Sequence, residues 1–422
     1  MKFENKFETL FVKISSYFLI SLPVLLITGS FLPDLVVSIF SITFLIYCFK
    51  NKIFKYFLNN FFIFFIFFWL FITTSSLLSE DIIFSLHSSL FYFRVGIFSL
   101  FIWYLLEKNS EFILKNLFFI FLLITIIMFI DSSVQYYNHT SLFGLKIQDV
   151  NRVSSFFGDE LIMGSFFSRF LPLIIGLFFY IKEENLVKIK NYFFFPFVLM
   201  IITMIIMSGE RTAFLLMIMS ISLFLISDSR NFIKLVISVV ILFLVINLLN
   251  INIGYRILTV AKNELFIKKN SVEEKINFFF GTHIAHYKSA YKMYENNKII
   301  GVGPRGFRLY CKDERYLISD LSCSTHPHNT YMQLLSETGV VGFTFIFFLF
   351  LYLFISYFKM IINKYFYNKK IDIFLISLII MLLLTLWPII PTGNFFHNWL
   401  MIVYYFPVGF YLWKKNKHKL IK

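Results

Sequence analysis

Charged residues are scarce in this chain of 422 residues, because Asp, Glu, Lys and Arg together make up only 15% of it. Internal repeats are missing, and so are low-complexity linkers apart from Phe-rich apolar runs. Hydrophobic residues make up 58% of the chain, and the mean hydropathy is +0.76. Soluble globular domains carry about 25% charged residues and are far less apolar. The composition therefore excludes an ordinary soluble domain and predicts an integral membrane protein.

Long apolar runs are abundant instead. A helix needs roughly 17 to 25 such residues to cross a bilayer. The first run lacks a small-residue cleavage site before Pro33, so we count it as a span rather than a signal peptide. We predict an all-α polytopic membrane protein with about twelve transmembrane helices. The predicted spans are 10–29, 31–49, 57–78, 89–106, 112–130, 161–181, 192–208, 211–227, 232–250, 339–358, 371–390 and 399–413.

Lys and Arg are distributed unevenly among the loops, which predicts the orientation in the membrane. One set of loops and both termini carry most of these cations, whereas the short loops of the other set carry only Lys146 and Arg152. We therefore expect both termini in the cytoplasm. The formal net charge of +15 then reflects topology and contact with anionic membrane lipid, and no nucleic-acid partner is expected.

One segment of domain-like size interrupts the membrane pattern. Residues 251–338 contain no apolar run long enough to span, and they separate helices 1 to 9 (1–250) from helices 10 to 12 and the tail (339–422). The topology predicts a large helical periplasmic loop. In it, segment 281–297 has His, Tyr and Ala at helical spacing, and segment 301–307, GVGPRGF, predicts a turn.

A second helix of this loop is expected to begin near Pro327, with Thr325 or His326 as its cap, and to end near Gly339. This position puts His328 in the first helical turn. There the positive end of the helix dipole would keep the imidazole neutral and able to accept a proton. The alternative is a hydrogen-bonded structural histidine at a helix start.

Two of the three cysteines, Cys311 and Cys323, fall in the large loop. An oxidising compartment would allow a disulfide between them, and two free thiols are the alternative. Cys48, inside a span, is interpreted as a small apolar residue.

Three arginines lie in or at the edges of apolar segments, where a guanidinium is costly and usually faces a cavity or a partner. They are Arg94, Arg169 and Arg211. For the first two, snorkelling or an ion pair is the alternative to a site. The acids considered as partners are Asp81, Asp159 and Glu160.

A metal site is an alternative use of the loop, which holds several possible ligands. These are His283, His286, His326, His328 and the two cysteines. The H-x-x-H spacing differs from that of zinc proteases, and no acidic residue lies between the histidines. We therefore expect no required metal.

The spacing around His328 resembles a signature of the O-antigen ligase and polymerase superfamily of bacterial envelope glycosyltransferases. That signature is His, then Asn, Ser or Gln, nine residues, Gly, two residues and Gly. A second family element, Arg followed four positions later by Leu, looks like Arg211 and Leu215, and the GVGPRGF turn also looks like the family's. The matching residues are His328, Asn329, Gly339 and Gly342, with Gly301 and Gly303 in the turn.

The resemblance implies a location and a reaction. In the bacterial inner membrane, on its periplasmic face, a polyprenyl-diphosphate-linked glycan is transferred to a hydroxyl of lipid A core, without nucleotide sugar, cofactor or metal. It implies His328 as the base and Arg211 as a cation for the diphosphate. Alternatives are a polysaccharide polymerase with a glycan acceptor, a protein O-glycosyltransferase and, in another class, a transporter or flippase of lipid-linked glycans.

The chain departs from the family at one position. The family usually has a second Arg early in the loop helix, where this sequence has His283. A neutral His cannot replace a permanent bidentate cation. Either His283 is protonated beside the diphosphate, or the charge comes from Arg256, Arg305 or Arg308, or donor handling differs.

Overall fold

The computed structural model of the chain describes residues 2–149, 151–188, 190–248 and 272–420. Within these ranges the regular structure is helical and contains no β-strand, only two isolated β-bridges. Arg256 lies outside the described residues. The helices are α1 (Lys2–Ile27), α2 (Phe31–Lys50), α3 (Asn60–Leu77), α4 (Ile82–Ser89), α5 (Phe93–Asn138), α6 (Met163–Glu183), α7 (Phe194–Met207), α8 (Arg211–Ser227), α9 (Ser229–Leu248), α10 (Val272–Asn296), α11 (Phe307–Tyr310), α12 (Thr330–Tyr367), α13 (Ile373–Thr385) and α14 (Asn398–Leu420).

Several of these helices are long and apolar enough to cross a membrane. Among the described residues, six segments meet that length and composition: Lys6–Ile27, Phe31–Lys50, Asn60–Leu77, Ile82–Asn138, Met163–Glu183 and Thr330–Tyr367. Four further apolar helices are shorter: Phe194–Met207, Arg211–Ser227, Phe232–Leu244 and Ile373–Thr385. The protein is therefore an all-helical membrane protein, while the number of twelve spans stays a prediction.

Helix α5 contains two of the predicted spans. Its residue Asn109 has φ −152° and ψ 49°, which is not a helical conformation, and so it divides α5 into two arms. These arms correspond to the predicted spans 89–106 and 112–130. The sequence thus located both apolar stretches, and the helical connection between them appears only in the structure.

The two ends of the helix bundle differ in their ion pairs. At one end of the bundle, where α2 ends and α5 has its middle, lysines pair with acids. A similar pair joins α13 to α14. Near the starts of α2 and α5, at the other end, Arg94 pairs with Asp34 at 2.7 Å. The lysine pairs are Lys55 with Glu107 (2.5 Å), Lys108 with Glu8 (2.6 Å) and Lys414 with Asp372 (2.9 Å).

The segment before α12 forms a small unit with its own core. Helix α10 belongs to this unit and packs along α12. The helix predicted around 281–297 is present in α10, but its buried side includes His286, Ala290 and Met293, while Tyr291 is 48% exposed. Such a satellite cluster stabilises a loop beside the main core. Its buried members are Ala290, Met293, Val302, Phe307, Cys311 and Tyr316.

Candidate active site

Helix α12 begins at Thr330, and Asn329 is its N-cap. The Asn329 Oδ1 accepts the backbone N–H groups of Tyr331 at 2.9 Å and Met332 at 3.0 Å. Its Nδ2 donates to the Pro388 carbonyl at 2.7 Å. Asn is among the best capping residues because its side chain satisfies otherwise unpaired N–H groups. The expectation of a helix start near Pro327, capped by Thr325 or His326, is therefore wrong.

His328 precedes the cap and has a left-handed backbone, with φ +58°. Its carbonyl accepts the N–H of Thr392 at 3.0 Å, and its Nε2 lies 3.0 Å from the Ser324 hydroxyl. Burial first, and then the neighbouring histidines, lower the pKa of His328 to about 3. The ring is therefore neutral at pH 7, and the cause is desolvation rather than the helix terminus.

His326 is held at both ring nitrogens. Nδ1 lies 2.9 Å from the Thr325 hydroxyl, and Nε2 donates to the Thr392 carbonyl at 3.2 Å. Burial is the main cause that lowers the pKa of His326 to about 4. Because Thr392 also binds His328, one residue of the α13–α14 connection orients both histidines.

Helix α10 brings two more imidazoles to His328. The ring centroids of His283 and His286 lie 4.9 and 5.3 Å from that of His328. His286 is 6% exposed, His283 is partly buried, and burial lowers the pKa of both. One nitrogen from each of the three rings lies within 4.8 Å of the others, a spacing that can hold a metal ion. His283 is thus a direct neighbour of the proposed base.

The GVGPRGF turn lies directly against the start of α12. Val302 N–H donates to the Ser336 carbonyl, and Gly303 N–H donates to the Glu337 carbonyl, both at 2.9 Å. A Cβ on Gly301, which has φ +69°, would lie 2.3 Å from the Glu337 carbonyl carbon. The turn therefore needs glycine both for its conformation and for this close approach.

Gly339 interrupts α12 where this helix contacts the segment that leads into the GVGPRGF turn. Its φ of +63° and ψ of −168° fall in a region that only glycine adopts readily. A Cβ there would lie 2.2 Å from the carbonyl oxygen of Ile299. Gly342 packs tightly as well, because a Cβ added there would lie 2.0 Å from the Thr338 hydroxyl oxygen. Gly301 and Gly339 thus allow two backbone segments to touch.

Glu337 is a buried acid that sequence reasoning missed. It is 0% exposed, and its carboxylate accepts the backbone N–H of Arg305 at 2.9 Å and of Phe307 at 3.3 Å. Gln333 Nε2 donates to it at 2.9 Å. A lone acid beside the apolar start of a predicted span was the available signal, since such residues are costly unless they have a role.

Arg305 extends from the turn toward a polar cavity. Its backbone is left-handed, with φ +62°, and its Nη1 lies 3.5 Å from the Ser88 hydroxyl. Burial, followed by the charge of Arg308, lowers the pKa of Arg305. The cavity of about 420 Å³ is lined by Arg305 together with Asp34, His87, Arg94, His397 and Asn398.

The connection between α13 and α14 supplies groups that sequence reasoning also missed. Besides Thr392, it contributes Asn394, which accepts from Gln333 at 2.8 Å, and His397. Burial and the charge of Arg305 lower the pKa of His397. Two prolines and a glycine close together, followed by polar residues, were the signal for a loop between two apolar runs.

Arg211 lies in a second polar group, around α6 and α8. It begins α8 directly after Glu210, whose carboxylate accepts the N–H and the hydroxyl of Ser165 at 3.2 and 2.6 Å. Burial raises the pKa of Glu210, although Ser165 and the charges of Arg152 and Arg169 act against that rise. The charge of Arg169 thus acts on Glu210, an acid outside those considered as its partner from the sequence.

Arg94 has a structural partner outside the acids considered from the sequence. Its Nε and Nη2 donate to Asp34 Oδ1 at 3.0 and 2.7 Å, and Asn398 bridges the pair. Asp81 instead caps α4 by accepting the N–H of Phe84. The ion-pair alternative is thus confirmed for Arg94, but the partner is Asp34 rather than one of the acids considered, and this pair joins α2, α5 and α14.

Cys311 and Cys323 are joined by a disulfide, with their Cα atoms 5.1 Å apart. Cys311 is buried in the satellite core. The bridge fixes the segment that leads from the GVGPRGF turn to Ser324 and His328. Cys48 is a buried free cysteine.

A comparison with curated proteins finds no match for the chain. A comparison with protein families does find one, in a region that begins in α7 and ends in α12 and so contains both the turn and the His328 motif. The family concerned has ligase or polymerase-type, glycosyltransferase-like functions. Residues 195–347 match the family model described as O-Antigen ligase, and this match supports membership of the O-antigen ligase superfamily.

Proposed function

We propose that the protein is an O-antigen ligase-type glycosyltransferase of the bacterial inner membrane. It moves a glycan from polyprenyl diphosphate to a hydroxyl of lipid A core on the periplasmic face. One observation carries the proposal: the His328 motif and the GVGPRGF turn form one unit, because Glu337 accepts the backbone N–H groups of Arg305 and Phe307. The helix start that follows the neutral imidazole of His328 and the turn that carries the Arg305 guanidinium are thereby held together.

His328 acts as the general base in this proposal. A base must lie within hydrogen-bond distance of the hydroxyl whose proton it takes. The Ser324 hydroxyl lies 3.0 Å from His328 Nε2, so a hydroxyl can approach the ring at that distance. The acceptor hydroxyl would replace Ser324, transfer its proton to the ring, and attack the anomeric carbon of the donor.

The leaving diphosphate needs positive charge, because negative charge builds up on it as the glycosyl bond breaks. Burial lowers the pKa of His283, and so this ring is better suited to donate a hydrogen bond than to carry charge. Arg305 is a permanent cation that lines the polar cavity. We therefore assign the second cationic role to Arg305, with Arg211 as the first and His283 as a hydrogen-bonding neighbour.

The reaction class can be tested by deleting the gene and analysing envelope glycolipids by gel electrophoresis. A ligase is expected to leave lipid-linked polymer intact and to lose all polymer on lipid A core. A single repeat on the core would instead indicate a polymerase. Unchanged glycolipids with underglycosylated secreted proteins would indicate a protein O-glycosyltransferase, and accumulation of the donor on the cytoplasmic face would indicate a flippase. Plasmid-borne wild type is the control.

Orientation belongs to the same proposal, with both termini cytoplasmic and the histidines outside. A phosphatase that is active only in the periplasm, fused after Leu420 or inserted near Asp320, reports the side of each position. We expect phosphatase activity from the insertion near Asp320 and none from the fusion after Leu420. Phosphatase activity from the fusion after Leu420 would contradict the proposed orientation.

A further inference from the structure

Three histidines form a cluster that has a second chemical use. His283 and His286 lie one helical turn apart on α10, and His328 lies opposite them before α12. Their rings approach as closely as 4.9 Å between centroids, and one nitrogen from each lies within 4.8 Å of the other two. We call these three residues the histidine cluster. Two separate elements of the fold converge there.

The cluster presents unused lone pairs. The Nδ1 atoms of His283 and His286 are buried and have no hydrogen-bond partner among the described residues. The Leu321 backbone lies beside the His286 ring and acts against the lowering of its pKa by burial. A neutral imidazole carries its proton on one ring nitrogen and leaves a lone pair on the other, so each ring of the cluster can offer one ligand atom to an ion.

We propose that the histidine cluster binds a divalent transition-metal ion of the zinc type, and that the bound ion blocks glycan transfer by occupying His328. Binding follows from the cluster alone, whereas the block rests on the function proposed above. A neutral imidazole has one lone pair, so whichever nitrogen of His328 ligates the ion, none remains to accept a proton. The ion is therefore an inhibitor rather than a cofactor.

The ligand set selects the class of ion. Imidazole nitrogens suit zinc, copper, nickel and cobalt, whereas magnesium and calcium prefer oxygen ligands. Zinc–nitrogen bonds of about 2.0 to 2.1 Å put tetrahedral ligands roughly 3.4 Å apart. The ligand nitrogens, which lie within 4.8 Å of one another, must therefore approach by up to about 1.4 Å, a movement that side-chain rotation supplies. A water molecule or an anion would complete the coordination.

Binding is tested first, on the full-length protein purified in detergent. Zinc ion is titrated in competition with a chromogenic chelator, and one ion per chain is expected. His286→Ala should weaken the affinity at least tenfold, while His139→Asn, which removes an exposed imidazole at the end of α5, should leave it unchanged. Equal affinity in wild type and His286→Ala, or an equal loss in His139→Asn, would overturn the proposal.

A second measurement does not depend on a variant that folds. Cobalt ion is added to the wild-type protein, and its visible absorption reports nitrogen ligation. We expect visible absorption bands of bound cobalt. These bands should disappear when zinc is added and persist in an excess of magnesium. A spectrum identical to that of cobalt in buffer would overturn the site.

The block is tested by glycan transfer in the presence of zinc, followed by a chelator. At zinc concentrations that fill the site, transfer should fall at least tenfold and return when zinc is removed. Stoichiometric binding without inhibition would overturn the block. Because binding is measured without transfer, a protein that binds zinc but transfers no glycan would refute the proposed function and leave the metal site standing.

Discussion

The Glu337 carboxylate accepts the backbone N–H of Arg305 at 2.9 Å, from a position inside α12 that is fully buried. Its other oxygen accepts the N–H of Phe307 at 3.3 Å. A carboxylate that accepts several N–H groups is a strong, directional clamp. The backbone of Arg305, whose side chain lines the polar cavity, is therefore held by a buried acid of α12.

Glu337→Gln should loosen that clamp without unfolding the protein. The amide keeps one accepting oxygen but replaces the other by a donor, which cannot bind an N–H group and costs about 1 to 3 kcal/mol locally. We expect faster hydrogen exchange at 303–308 and reduced transfer. Exchange measured by mass spectrometry checks the first result. Glu314→Gln, at an exposed position, is the control, and equal exchange in both variants would contradict the clamp.

Gly339→Ala should be far more damaging than an alanine at another left-handed glycine. The new Cβ would lie 2.2 Å from the Ile299 carbonyl oxygen, and the backbone has φ +63°. Strain and overlap together cost about 3 kcal/mol or more. Gly144 has φ +81° but no atom within 4 Å of its Cβ position, so Gly144→Ala costs only about 1 kcal/mol.

Thermal unfolding in detergent compares these two glycine variants. A lower apparent Tm for Gly339→Ala than for Gly144→Ala is expected, together with lost transfer in the first alone. Similar Tm values would mean that the contact with Ile299 is unimportant.

The sequence predicted the motif residues but not how they work. The spacing of His328, Gly339 and Gly342 is readable because it is local. The contact between Gly339 and Ile299 joins residues that are forty positions apart. It depends on how the turn packs against α12. The partner of Arg94 illustrates the same limit, since Asp34 is 60 positions away and Asp81 was nearer in sequence.

The start of α12 was misjudged for a more local reason. Thr325, His326, Asn329 and Thr330 stand close together, and several of them can cap a helix. The choice of Asn329 is tied to its second bond, to the Pro388 carbonyl, which belongs to a distant connection. Helix-terminus rules describe the capping oxygen but not a tertiary bond of this kind.

The disulfide gives a prediction about stability. A bridge between cysteines separated by 12 positions should stabilise the loop unit by about 3 kcal/mol. A reductant should lower the apparent Tm of the wild-type protein and increase proteolysis between 298 and 328. The doubly substituted C311S/C323S protein should start at the lower Tm and no longer respond to reductant. A response equal to that of wild type would mean that the effect of the reductant does not come from the bridge between Cys311 and Cys323.

Arg211→Lys should impair transfer even though it keeps the charge. A guanidinium binds a diphosphate through two parallel N–H groups, which an ammonium cannot reproduce. We expect a fall in kcat/KM of at least tenfold. Arg315→Lys is the matched control, because Arg315 lies exposed in ion pairs with Asp313 and Glu80. An unchanged rate in Arg211→Lys would remove Arg211 from the donor site.

His328→Asn separates the chemistry of this residue from its backbone conformation. Asn accepts the left-handed region more readily than Ala, so the φ of +58° and the bond from Thr392 N–H can be kept while the base is removed. General-base catalysis contributes about 10²- to 10⁴-fold, and transfer should fall by that factor with expression and Tm preserved. His139 also has φ +58° and is exposed, which makes His139→Asn a control of the same residue type and backbone. If His328→Asn retained wild-type transfer with an intact fold, the acceptor proton would have to go elsewhere, and His326, with both nitrogens already bonded, would be a poor substitute.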